Sequence, residues 1–137
     1  MRYKFLEHTA DVKFTAFGRT MEEAFENAAL ALKETICGKK KIKNKKEKKI
    51  DVRGNDPESM LNRFLGKILY LFDAENFLIG DVKKIKIDEK TLRLSAVISG
   101  DDAENYNVSN SVKAITYNDM FVKKDKNRWI VQAVLDV

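Results

Sequence analysis

Few residues of this chain are of types that do chemistry: His8, Cys37, Asp11, the Asp101-Asp102 pair, and Asp136 beside Val137. Asp11 follows His8-Thr9-Ala10 at the start of a strand, and Asp136 is the penultimate residue. If the terminal strand pairs near the first, two side-chain carboxylates and the chain-terminal carbonyl or carboxylate of Val137 converge. Hard oxygen ligands of that kind suit calcium or magnesium rather than zinc or copper. A plainer reading stands beside it, in which Asp11 caps a turn, Asp136 is a solvated tail residue and Asp101-Asp102 is a polar turn. With one His, one Cys and no glycine-rich loop, the chain has no P-loop and no dinucleotide-binding fingerprint. No Ser or Cys sits in a nucleophile elbow, so His8 reads as an orienting or packing residue rather than a catalytic base. Cys37 reads as a small buried residue on the Ile36 side of a helix. A single Cys also excludes an internal disulfide and fits a reducing cytosol.

These groups depend on the elements that carry them. Val12, Phe14 and Ala16 alternate with Lys13, Thr15 and Phe17, which predicts a strand ending at Gly18. Thr20 and Glu23 then form a capping-box pattern. Met21, Phe25, Ala28, Ala29, Leu32 and Ile36 recur at helical spacing, and Gly38 stops the helix. Asp56-Pro57 opens a second helix with an apolar stripe from Met60 to Phe72. A hairpin follows, turning at Asp88-Glu89-Lys90 and broken by Gly100-Asp101-Asp102. Val112 to Val137 reads as a short meander of strands about the turn Lys123 to Asn127. Two helices and six or seven strands predict an α+β two-layer sandwich, with both helices on one face of a mostly antiparallel sheet.

At 137 residues the chain is read as one domain over 1–137. No run approaches the roughly 18 apolar residues of a membrane span, and neither a signal peptide nor membrane association is expected. Charge is localised. Residues 39–49 hold eight lysines (Lys39, Lys40, Lys41, Lys43, Lys45, Lys46, Lys48 and Lys49) against Glu47, so this segment carries +7 of a formal net +5 and leaves −2 elsewhere. Its first half reads as a loop and its end as a strand through Ile50 and Val52. As a tRNA-binding arm its lysines, Lys39 to Lys46 foremost, would contact phosphates without specificity. It lacks the Arg and aromatic residues of specific recognition, and a solvated loop is the alternative.

The opening Tyr3-Lys4-Phe5-Leu6-Glu7-His8-Thr9-Ala10-Asp11-Val12, with Phe14, Ala16, Gly18 and Thr20-Met21-Glu22-Glu23-Ala24-Phe25, closely resembles the N-terminal signature of the archease family. Leu69 to Asp73, Val112 to Tyr117, and Trp129 with Val134 to Val137 resemble later parts of the same family. The resemblance implies a cytoplasmic accessory protein, not an enzyme, that activates the RtcB-type tRNA-splicing ligase. It would promote guanylylation and multiple turnover and broaden nucleotide use. It also implies a metal site, described for the family as binding calcium, at Asp11, Asp136 and Val137. A second role attached to the family is that of a chaperone-like partner of a tRNA-modifying enzyme, such as a tRNA cytosine methyltransferase. Lys113 is a candidate contact for a phosphate or a partner carboxylate, or else a sheet-edge lysine kept for solubility. His8 is a second candidate contact, and Tyr117 is read as packing. The family usually has His where this chain has Asn118, which keeps hydrogen bonding but loses acid-base capacity near neutral pH.

Overall fold

The computed structural model describes residues 1–7, 11–108 and 112–137; His8 lies outside the described residues. Among the described residues, seven strands form two antiparallel sheets. In the first, β1 (Tyr3–Leu6), β2 (Val12–Gly18), β7 (Arg128–Asp136) and β6 (Ala114–Asp125) lie in that order. In the second, β5 (Arg93–Asp102) lies between β3 (Lys46–Arg53) and β4 (Phe77–Asp88). Two helices, α1 (Met21–Cys37) and α2 (Pro57–Glu75), pack against strands of both sheets. The sandwich is as expected, but its β layer is divided in two. Alternation along a strand decides which face each side chain takes and says nothing of which strand lies alongside.

Local chemistry explains both helices. The Thr20 hydroxyl accepts from the Glu23 backbone N–H at 3.1 Å, and Glu23 reaches back to the backbone of Arg19. Asp56 accepts from the Ser59 N–H at 2.7 Å while the Ser59 hydroxyl oxygen accepts from the Asp56 N–H, a capping box closed by serine. Gly38 at φ 66° ends α1, and Asn76, left-handed at φ 57°, ends α2. Their apolar faces meet in one core, where the Phe25 and Phe64 rings stack with centroids 6.3 Å apart. Each fully buried side chain of this size contributes about 1.5–3 kcal/mol of transfer free energy.

Gly100-Asp101-Asp102 does not break the hairpin; β5 runs through to Asp102. A Cβ on Gly100 would sit 2.0 Å from the Leu78 carbonyl oxygen, so this glycine permits close approach of β4 rather than a turn. Asp101 is buried, not part of a polar turn. Burial pushes its pKa up, but hydrogen bonds from the Asp102 N–H, the Tyr106 hydroxyl and the Asn105 amide outweigh burial and hold it below the ordinary carboxylate value. The lysine segment is a loop in its first half and a strand at its end, as expected. Lys46 to Lys49 belong to β3, captured by β5 through pairs such as Lys48 with Ile98.

Candidate functional site

The centre of the four-stranded sheet is the pairing of β2 with β7, from Val12 opposite Leu135 to Gly18 opposite Trp129. Carried one residue further, that register would set Asp11 opposite Asp136. Directly opposed residues of an antiparallel pair point to the same face with Cβ atoms about 5 Å apart. On the other side of β7, Ala114 pairs with Asp136, and the Lys113 N–H donates to the Asp136 carbonyl oxygen at 2.7 Å. Asp136 and the backbone of Lys113 thus meet at one end of the sheet, where the β2–β7 ladder stops one residue short of Asp11. Asp11, Asp136 and Val137 are all half-buried, Val137 packing on the core, whereas Lys113 is exposed.

Two like charges placed opposite one another destabilise a strand pair unless a cation lies between them. The donor set, two carboxylates with the main-chain oxygens of Val137, is of the hard-oxygen kind that calcium takes. Among the described residues, no three His, Cys, Asp or Glu side chains cluster closely enough to hold an ion by themselves. A cation here would therefore need main-chain oxygen as well.

Sequence reasoning missed the neighbours of these residues on the same sheet face. Between Thr116 and Phe121 the ladder of β6 with β7 is interrupted, and Asp119 adopts φ 52°. This bulge reaches back over the sheet. The Asp119 carbonyl oxygen accepts from the Gln132 side-chain amide at 2.7 Å, and its carboxylate lies 3.3 Å from the Lys13 ammonium. Thr15, one pleat along from Lys13, is buried, and its hydroxyl has no hydrogen-bond partner among the described residues. Gln132 was the available signal, a lone amide within Ile130 to Leu135. The bulge also corrects the expectation for Tyr117, which is 58% exposed because the chain leaves the ladder there. Asn118 is exposed too, its N–H donating to the Thr116 hydroxyl at 3.2 Å.

The lysine segment divides between paired and unobstructed side chains. Lys46 lies 2.7 Å from Asp102, a hydrogen bond that raises its pKa, and Lys48 lies 3.0 Å from Glu75. Lys39, Lys40, Lys41, Lys43 and Lys45 are exposed. Cys37 is buried, its thiol donating to the Lys33 carbonyl oxygen, and burial raises its pKa. None of the described helices is long and apolar enough to cross a membrane.

Comparison with known proteins covers the whole chain. Residues 3–137 match the model of the Archease protein family. The chain is 42% identical over 141 residues to the archease of Pyrococcus furiosus, covering 99% of each. It is 36% identical over 140 residues to that of Methanosarcina mazei, covering 99% of this chain and 96% of the relative. A solution structure of a Methanobacterium thermoautotrophicum protein superposes with TM-score 0.82 at 30% identity, over 98% of both chains. A crystal structure of a Thermotoga maritima archease, named there as a possible chaperone, shares the fold with TM-score 0.64 at 20% identity, over 100% of this chain and 98% of that one.

Proposed function

The chain belongs to the archease family, and from that membership we propose that it is an accessory protein, without catalysis of its own, that activates an RtcB-type tRNA-splicing ligase. It would promote guanylylation and multiple turnover of the ligase and broaden its nucleotide use. The observation that supports a defined centre for this action is the register that pairs Val12 with Leu135, the residues next to Asp11 and Asp136, at the end of β2 and β7. Asp11, Asp136 and the main-chain oxygens of Val137 would hold calcium. Bound there, the ion supplies the positive charge that lets two opposed carboxylates share one face. The chain's own part is to orient these oxygens: the Lys113 N–H fixes the Asp136 backbone, and the Asp119 bulge covers the sheet beside them. The acidic end so formed, with the Lys113 side chain exposed next to it, is the surface offered to the ligase.

The test is multiple-turnover ligation by the cognate ligase with and without this chain. Wild-type protein should raise the number of turnovers, and Asp136→Asn should not. Full activation by Asp136→Asn would sink the site, and no activation by the wild type would sink the function.

The second reading is a chaperone-like partner of a tRNA-modifying enzyme such as a tRNA cytosine methyltransferase. The name given to the Thermotoga maritima structure favours it. Against it, the exposed large apolar side chains among the described residues are few: Met1 and Phe5 at the N-terminal segment, Tyr70 on α2 and Tyr117 on β6. Light scattering of the methyltransferase during heating discriminates, since a ligase activator should leave its aggregation unchanged.

A further inference from the structure

Lys39, Lys40 and Lys41 do not project at random into solvent. Together with Arg2 and Lys33 they line a groove of about 440 Å³ between the end of α1 and the start of β1. Among the described lining residues the one carboxylate is Glu34, which accepts from the Tyr3 hydroxyl at 3.1 Å. Five cations against one carboxylate leave the groove strongly positive. By contrast, Lys46 and Lys48, equally basic in sequence, are ion-paired outside it.

The segment that presents these charges is pinned. The Gly38 N–H donates to the Glu34 carbonyl oxygen at 2.7 Å, and Ile42 is buried in the core. The Lys43 N–H donates to the Tyr106 hydroxyl at 2.9 Å, and the Lys45 N–H to the Gly100 carbonyl oxygen at 2.8 Å. On the wall, the Lys33 ammonium donates to the Gly80 carbonyl oxygen at 2.9 Å, which holds its charge in place. Ordering of the backbone is therefore complete before any ligand arrives, and binding does not have to supply it. A smaller role for these lysines is to offset the negative end of α1, whose last turn contains no base. That end amounts to about half an elementary charge, which one lysine satisfies. Five cations exceed the need.

We propose that this groove binds the phosphate backbone of single-stranded RNA without reading its sequence. Lysine ammonium groups act as point charges on phosphate and lack the forked geometry that reads bases. A concave groove accepts a chain and does not mate with a planar lipid surface. The choice of RNA among polyanions rests on the proposed action on an RNA ligase; binding by the groove itself does not, so the test uses the chain alone. Four net charges neutralising about four phosphates predict a slope of log K against log salt near −3, at about −0.7 per phosphate for single strands.

The experiment is fluorescence anisotropy of a labelled single-stranded oligoribonucleotide over a series of KCl concentrations, with Tm measured for every protein. Arg2→Gln combined with Lys39→Gln, Lys40→Gln and Lys41→Gln should weaken binding about tenfold or more and reduce the slope by about two or more. Lys90→Gln with Lys123→Gln, Lys124→Gln and Lys126→Gln has the same net charge and should bind within about twofold of wild type. Should the groove variant fail to fold, Lys39→Arg, Lys40→Arg and Lys41→Arg together should still bind like wild type. Equal losses in the two Gln variants would reduce the effect to net charge and overturn the proposal. So would a wild-type slope near zero, or displacement of RNA by polyglutamate or phosphatidylserine vesicles as effective as by unlabelled RNA. Binding that passes these tests while ligation is not activated would defeat the ligase reading and leave the groove standing.

Discussion

The backbone N–H of Lys113 donates to the carbonyl oxygen of Asp136 at 2.7 Å, so the residue proposed to meet a partner and the residue proposed to hold a cation are joined through the main chain. A change at Asp136 should then separate two effects of opposite sign. Without calcium, Asp136→Asn should melt higher than wild type, because it removes a like charge opposite Asp11. With calcium at about a hundredfold excess over Kd, wild type should gain about 2.7 kcal/mol and the variant nothing. Calorimetry with EDTA and with added calcium measures both; a calcium gain undiminished in the variant would count against the site.

Thr15 offers a stability gain. Its buried hydroxyl lacks a partner among the described residues, so Thr15→Val exchanges an unsatisfied polar atom for a methyl group of similar size. Urea unfolding should show the variant more stable by about 1 kcal/mol. A clear loss would mean that the hydroxyl is satisfied in solution.

Gly100→Ala should destabilise by about 1–3 kcal/mol through overpacking. The added methyl would fall on the Leu78 carbonyl oxygen, which is backbone of the neighbouring strand and cannot swing aside. Gly66→Ala is the control, since nothing lies within 4 Å of a Cβ there, and it should be neutral or stabilising.

Acid should expose the Asp101 network. Burial raises the pKa of Asp101, but the hydrogen bonds it accepts prevail and set its folded pKa below the ordinary value near 3.8. Its contribution is thus complete above that value and lost as pH falls through the lower, folded pKa. The stability difference between wild type and Asp101→Asn should be constant from neutral pH down to about 5 and shrink below about 4. Melting curves across that range check the sign; a difference that grows with acid would contradict it.

Which parts of this were legible in the sequence follows from how local each cause is. Thr20 with Glu23, and Asp56 with Pro57, cap helices through contacts three residues apart, so both starts could be read directly. The apolar stripes and the Asp88 turn are equally local. The strand pairings are not. Asp11 and Asp136 could be named as carboxylates that would converge if their strands paired, and the register carries the pairing to their doorstep. Gly100 was misread as punctuation because its reason, the Leu78 carbonyl, lies on another strand. Asp119 left no trace as a strap, since its partners Lys13 and Gln132 are set by a bulge that interrupts regular alternation.

The pairing of β2 with β7 has a bearing on how the protein is made. Lys13 and Asp119, which meet across this sheet, are 106 positions apart, and contacts so distant form late and slowly compared with helices and hairpins. During synthesis α1, α2 and the β4–β5 hairpin can all emerge from the ribosome and begin to collapse while β2 still lacks the strand that belongs beside it. The proposed site therefore comes into being only when the chain has been synthesised as far as β7. A stalled or shortened copy would carry the lysine groove but not the end of the sheet where β7 lies between β2 and β6.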